Sequence, residues 1–503
     1  MMKIGYAYLK DKLNLRILDI QDESRIGSVN SVVDLPGGGL LAPKNMAPDE
    51  EDLIGHLLFA LKHEGTKLQV LSEAMKHIPA LDMCNAIKAS PSSAYLRKAG
   101  YLWETFNKTD LDIGAPTAGG NYIDLYDEKK YITGPSEKVK KWRVNFNGLG
   151  SIAYNPEVRR TPEIDSYIKE RILDKTNEYL RTLDKESIDR ALSWAYLSET
   201  EKSFEIEREV ASPTKAQTFV NLLKQAHEKT PLTEDYLSEL QSATISNDFE
   251  KAASFRSEQN HLRKSGLRGS NSVSYIPPPP DLCNELMTHF MEMANELPKE
   301  RVDPIVAAAV ASFGFVYLHP YMDGNGRLSR FLFHHALCMS GNLEKGHLLP
   351  VSVAMKKNEQ LYLQALESYS KPSRKLWDAR WIGEGDFDFT FKGEESTYRY
   401  WDATPCVEFG FKMAKEALEI HIKNEVEFIA AFDHIWKKVE ADFDIKGSTL
   451  HILIASALQN NGEVSKNKRR KFEQEVPPGA FDLIQEHATA CLEKATWTPP
   501  PPQ

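Results

Sequence analysis

The chain lacks what would tie it to an oxidising compartment or to a bilayer. Its five cysteines (Cys84, Cys283, Cys338, Cys406 and Cys491) are odd in number, widely scattered and include no C-x-x-C pair. That excludes a disulfide framework and a zinc ribbon. The longest near-apolar run, IVAAAVASFGFVYL at residues 305–318, is too short to span a membrane and reads as a buried helix. The N-terminal MMKIGYAYLKDKLNLRILD is charged throughout and has no apolar signal core. A surplus of positive charge is missing as well. The formal charge of −10 argues against a general polyanion-coating role and leaves room only for a local basic patch. There is no internal repeat. With 41% hydrophobic and 27% charged residues, the expectation is a globular cytoplasmic protein. Its 503 residues suffice for three or four units, at roughly 100–200 residues each.

What is present is mainly helical periodicity. Residues 1–185 read as a mixed α/β region. GYAYL and LNLRIL are β-like there, LPGGGLLAP at 35–43 is a loop, and EEDLIGHLLFALKHEG is a helix. Helical spacing dominates from residue 154 through SIDRALSWAYLSETEKSFEIERE and SPTKAQTFVNLLKQAHEK, with Ser212 as N-cap and Pro213 at the first helical position. LRKSGLRGSNSVSYIPPPP breaks the pattern with a hairpin over 262–275 and an extended proline run over 277–280. The apolar helix at 305–318 must stop before Pro320. A second helix restarts at about Gly326 and ends at Gly341-Asn342. Residues 386–503 form a helical region, and the tail at 498–503 reads as disordered or polyproline II.

Between those two helices lies HPYMDGNGRLSR, residues 319–330. Gly324 and Gly326 let the backbone approach an anion closely, and the N–H groups opening the second helix point at one spot where its dipole adds positive potential. Arg327 and Arg330, three residues apart, share a helix face beside that spot and offer planar forks to phosphate oxygens. Asp323 is a carboxylate of the kind that holds Mg²⁺ together with substrate phosphates. His319 is the residue in the motif suited to accept a proton at neutral pH. A bare D-G-N-G is usually only a turn. With the histidine, acid and two arginines in register, it is a phosphate cradle facing a general base. Such a site suits transfer of a phosphate-linked group to a hydroxyl.

This stretch resembles the signature of the Fic (Fido) family, H-x-F-x-D/E-G-N-G-R-x-x-R, departing only in Tyr321 where the family has Phe. The resemblance implies a mainly α fold, with a Fic-type helical core over 231–375 and a β-hairpin flap at 262–275 that holds a target segment. It implies transfer of AMP from Mg²⁺-ATP to a Ser, Thr or Tyr hydroxyl of a target protein, which could be the chain itself. His319 would be the base, Asp323 the Mg²⁺ ligand, and Asn325 with the backbone of Gly324 and Gly326 would hold the phosphates. Arg327 and Arg330 would bind the outer ones. PVSVAMKKNEQLYLQAL resembles the helix completing the nucleotide pocket, placing Asn358 and Tyr362 near the adenosine.

Many members carry an inhibitory helix with the pattern S/T-x-x-x-E-G/N. SFEIERE supplies Ser203 and Glu207 at that spacing, within a region spanning 186–230, with Arg208 in place of Gly or Asn. A glutamate inserted beside Arg330 would occupy the outer phosphate's place. Other readings stay open. The same site can remove AMP from a target, and a nucleotide-sensing DNA- or protein-binding regulator is an alternative of another class. His334 and Cys338, i and i+4 on one helix, have zinc-compatible spacing but sit among Phe331, Leu332, Phe333 and Leu337, which favours core packing. SKNKRRKFEQE at 465–475 is compatible with a winged-helix-like module docking DNA or protein, or with a solvated turn. Assembly into a homo-oligomer is left open.

Overall fold

Apolar residues at helical spacing set most of this architecture. The computed structural model describes residues 2–36, 38–114, 121–245, 251–264, 266–383 and 386–494. Residue 37 of the glycine run, residue 265 of the flap and the proline tail at 498–503 lie outside the described residues. The chain forms two units, neither of them contiguous in sequence. One contains residues 1–169, 229–341 and 360–410, the other 170–228, 342–359 and 411–503.

The first unit begins with a departure from expectation. Gly5–Lys12, which includes GYAYL, is a helix rather than a strand. Gly5, Tyr6, Ala7 and Leu9 are its buried residues, three of them consecutive, which is not the alternation of a strand. LNLRIL does alternate, with Leu15 and Ile17 buried, but it meets no ladder partner and forms no strand. Helices Leu53–Phe59, Leu68–Ala74, Ala80–Ala89 and Ala94–Asn107 surround a core that includes Tyr6, Leu57, Leu71, Met83, Leu102 and Trp142. A small sheet is ordered Lys3–Ile4, Ser24–Gly27, Leu40–Pro43, Val33–Asp34, and only its middle pair is parallel.

The rest of this unit is built on the Pro304–Leu318 helix, apolar on every side and buried from Ile305 to Phe315. Pro304 fills the first helical position, and the Asp303 carboxylate accepts the Ile305 N–H at 2.9 Å. The Asn325–Ser340 helix packs along it, and Pro280–Glu296 packs beside it. Gly341 ends the Asn325–Ser340 helix at φ 74°. The expected hairpin is a short antiparallel pair, Leu262–Arg263 with Val273–Tyr275. Pro279 is extended, and Pro280 opens the next helix. A second hairpin, Trp377–Gly383 with Asp386–Phe391, stands where no strand is expected from the sequence reading. Its DFDFTF strand has a clear period of two, and its phenylalanines pack toward Val273, Ile276 and Trp377.

In the second unit, the Lys185–Ile206 helix packs against Pro213–Gln225 and Val351–Lys357. Ser212 caps the Pro213–Gln225 helix by accepting the Lys215 N–H, with Pro213 at the first position. Four helices, Lys423–Asp442, Gly447–Gln459, Lys466–Phe472 and Pro478–Glu493, enclose a core around Ile435, Leu453, Ile454, Phe481 and Ile484. No strand occurs among the described residues of 411–494, so a winged-helix-like module would lack its wing. The basic run forms the short Lys466–Phe472 helix, capped by Ser465. Among the described residues no helix is long and apolar enough to cross a membrane.

Glu157, partly buried in the first unit, accepts from the Leu68 N–H at 3.0 Å and the Tyr126 hydroxyl at 2.9 Å. Burial pushes its carboxyl up to about 7. Protonation of Glu157 therefore stabilises the fold. That contribution is full below the ordinary carboxyl range and is lost as pH rises through about 7. Glu157→Gln is expected to raise the melting temperature at pH 8 by about 2–4 °C and to lose this advantage as pH falls toward 4.5. Scanning calorimetry at both pH values checks this, and a pH-independent difference contradicts it.

Candidate active site

The Pro304–Leu318 helix ends on His319, which takes the left-handed conformation (φ 53°, ψ 57°). That geometry costs a non-glycine residue about 1–3 kcal/mol and persists only where the surroundings impose it. Here they do. The Arg256 guanidinium donates to three carbonyls, those of His319 (2.9 Å), Glu258 (2.8 Å) and Pro278 (2.5 Å), and the Arg256 N–H bonds the Pro320 carbonyl at 2.7 Å. Arg256 is buried, and burial pulls its pKa below the ordinary arginine value. His319 is also buried. Its Nδ1 lies 3.1 Å from the Val316 carbonyl and, as N–H, donates to it. In the neutral ring this tautomer leaves the basic lone pair on Nε2.

The loop that follows is fastened at nearly every residue. Tyr321 is fully buried, with its hydroxyl 3.0 Å from the Ser238 hydroxyl and its ring edge-on to Phe255. The hydroxyl that a phenylalanine lacks thus has a partner. Asn325 accepts the Tyr321 N–H at 3.1 Å and donates to the Tyr321 carbonyl at 2.7 Å, so its amide closes the turn on itself. Asn260 donates to the carbonyls of Tyr321 and Met322 at 3.1 and 3.0 Å. Gly324 sits at φ 89°, where an added Cβ would meet Ile245 at 3.0 Å. One Asp323 oxygen accepts the Gly324 N–H at 2.6 Å, and the other lies 3.2 Å from Arg327 Nη2. Arg327 also donates to the Thr244 carbonyl at 3.1 Å, and the Gln241 amide donates to the Asp323 carbonyl at 3.2 Å. Gly326 lies in the first turn of the helix, its carbonyl accepting the Ser329 hydroxyl at 2.8 Å.

Arg327 and Arg330 are each 1% exposed. Two buried guanidinium groups thus stand in the opening turns of a helix whose dipole is already positive at that end. An anion at this helix start relieves the accumulated potential. Residues 231–337, which contain the whole arrangement, match the family model for the Fic/DOC family. The chain carries a Fic domain.

Similar proteins share that domain over a limited stretch. A protein adenylyltransferase Fic of Aedes aegypti is 37% identical over 67 residues, 13% of each chain. One from Drosophila mojavensis is 33% identical over 88 residues, 18% of this chain and 16% of that one. Protein adenylyltransferase fic-1 of Caenorhabditis briggsae is 27% identical over 141 residues, 28% and 26% of the two chains. The matches thus span about a quarter or less of these relatives. Among solved structures, a Fic family protein from Desulfovibrio desulfuricans is 18% identical, with 65% of this chain and 89% of that one covered at a TM-score of 0.38. A Fic-domain signalling protein from Bacteroides thetaiotaomicron is 19% identical, with 53% and 97% covered at a TM-score of 0.36.

The remaining sequence candidates lie outside this loop. Ser203 is fully buried in the Lys185–Ile206 helix, and Glu207 is its C-cap. Arg208 follows in the left-handed conformation at φ 61°, and the Glu209 N–H reaches back to the Phe204 carbonyl at 3.1 Å. This is the position where Gly or Asn ends a helix at least cost, which gives the G/N of the inhibitory pattern a physical meaning. Asn358 ends the Val351–Lys357 helix, and its amide donates to both Glu416 oxygens at 3.0 and 2.9 Å. Tyr362 stacks on Phe409 with ring centroids 5.6 Å apart. His334 and Cys338 are buried, and burial pushes the Cys338 thiol up to about 12, which keeps it protonated at neutral pH. Among the described residues no group of three His, Cys, Asp or Glu is placed to hold a metal.

Arg256, Asn260, Ser238 and Gln241 of the Fic domain are absent from the sequence reading. FRSEQN directly upstream of the hairpin was the available signal, but nothing in a lone arginine announces that its partners are three carbonyls. The Tyr321–Ser238 contact predicts a double-mutant cycle. Tyr321→Phe and Ser238→Ala should each lower stability by about 1 kcal/mol in urea melts, and the pair together by little more than either alone. Full additivity would show that the two hydroxyls do not bond.

Proposed function

We propose that this chain is a protein adenylyltransferase that moves AMP from Mg²⁺-ATP to a Ser, Thr or Tyr hydroxyl of a protein, and that Glu207 restrains it. The observation that carries this reading is His319, buried with its Nδ1 held by the Val316 carbonyl so that Nε2 is left basic, in the same short loop-and-helix stretch as the two buried arginines Arg327 and Arg330. The relatives named protein adenylyltransferase support it.

In this reading the target hydroxyl gives its proton to His319 Nε2 as its oxygen attacks the α-phosphorus. The new P–O bond forms while the bond to the oxygen bridging the α- and β-phosphates breaks, and pyrophosphate leaves with that electron pair. The Val316 carbonyl, holding Nδ1–H, orients the ring before transfer and stabilises the imidazolium after it. Arg327 and Arg330 take up charge on the outer phosphates, and the N–H groups opening the Asn325–Ser340 helix add to the cradle. Asn325 contributes by fixing the loop's shape, since its side chain is bonded to Tyr321.

Asp323 fits Mg²⁺. Its side chain is 42% exposed, and a lone carboxylate suits a cation that draws its other ligands from phosphates and water. When bound, Mg²⁺ would neutralise phosphate charge. Glu207, at a helix end with the S-x-x-x-E spacing, would compete for Arg330 and hold ATP in a non-productive pose.

The test is incubation with Mg²⁺ and ATP radiolabelled at the α-phosphate. The expected outcome is weak self-labelling of the wild type, strong labelling of Glu207→Gly, and none of Glu207→Gly/His319→Ala. A Glu207→Gly protein that binds ATP yet stays unlabelled overturns the reading.

A further inference from the structure

Of the glutamates in the Lys185–Ile206 helix, Glu199, about two turns before the C-cap Glu207, is buried completely. It faces the opening turn of the Val351–Lys357 helix, where it accepts the Ser352 N–H at 2.7 Å and the Ser352 hydroxyl at 2.5 Å. That helix begins after Pro350, which supplies no side-chain cap, so the cap comes from another helix. A carboxylate at the positive end of a helix, held by two donors, is among the stronger arrangements available to a buried charge. Leucine or methionine would suffice to pack two helices together. A charge that satisfies one particular residue also fixes their register.

A second tie lies one turn on. Lys356 Nζ is 3.6 Å from a Glu205 carboxylate oxygen and 3.4 Å from the Glu205 carbonyl. Lys202 pairs with the same carboxylate at 2.5 Å. The Val351–Lys357 helix leads directly into Asn358 of the proposed nucleotide pocket.

We propose that Glu199 is a positioning residue, a latch that registers the inhibitory helix on Val351–Lys357 and thereby sets where Glu207 acts. This rests on Glu207 being the inhibitor. From Glu199 to Glu207 is eight residues, about 12 Å of helix, so the latch and the inhibitor move as one body. Releasing the latch frees the helix end while leaving His319, Asp323, Arg327 and Arg330 unchanged. In chemical terms, nucleotide access is regulated by a helix cap.

Self-labelling with α-labelled ATP tests this on Glu199→Ala, Glu199→Gln, Ser352→Ala, Glu207→Gly and Glu199→Ala/Glu207→Gly in the full chain. Glu199→Ala should label about fivefold or more above wild type and add nothing on top of Glu207→Gly. Glu199→Gln, which keeps an acceptor for the Ser352 N–H, should fall back toward wild type, with Ser352→Ala between the two. Amide exchange should quicken over residues 203–207 in Glu199→Ala and stay unchanged over 319–330. Glu199→Ala labelling no better than wild type while Glu207→Gly labels strongly overturns the latch and leaves inhibition standing. An equal change in both backgrounds, up or down, marks a residue acting elsewhere and also overturns it. A silent Glu207→Gly removes the inhibitor itself, and the latch with it.

Discussion

The loop from His319 to Gly324 depends on one buried guanidinium. Arg256 gathers the carbonyls of His319, Glu258 and Pro278 around a single planar fork, and its own N–H takes the Pro320 carbonyl. The carbonyls of His319 and Pro320 lie just past a helix, that of Pro278 just before one and that of Glu258 in the irregular stretch ahead of the hairpin, so no regular ladder is available to satisfy them. A lysine has the charge but not the geometry. This fastening holds His319 in a backbone conformation it would otherwise avoid.

A second constraint is electrostatic. Burying Arg327 and Arg330 at the positive end of a helix is unfavourable taken alone. Asp323 and the Thr244 carbonyl offset part of it at Arg327. The arrangement is one in which folding and function pull apart, because the groups that would welcome phosphate are those the fold has to accommodate. A polyphosphate at this helix start would relieve the same potential.

The two helices and the loop between them were legible because every signal agreed. The run at 305–318 was apolar throughout, Pro320 could not continue it, and Gly324 and Gly341 marked a turn and a helix end. The hydroxyl of Tyr321 was legible only as a requirement, since its partner Ser238 lies 83 residues away in sequence. Arg256 was not legible. With 62 lysines and arginines in the chain, nothing local separates a buried cation bonded to carbonyls from a solvated one. GYAYL misled because its tyrosines carry strand propensity, whereas the segment buries three consecutive residues, as a packed helix can and a half-exposed strand cannot. The Trp377–Gly383 hairpin was missed although DFDFTF alternates, because the helices on either side dominated the reading.

The left-handed backbone at His319 also constrains how this protein can be changed. Glycine or asparagine would occupy that position with less strain, so stability alone favours losing the imidazole. Selection of variants for heat tolerance, with no demand for turnover, would drift toward those residues at 319. Libraries built to harden this scaffold would have to hold that position fixed, whatever a melting curve rewards.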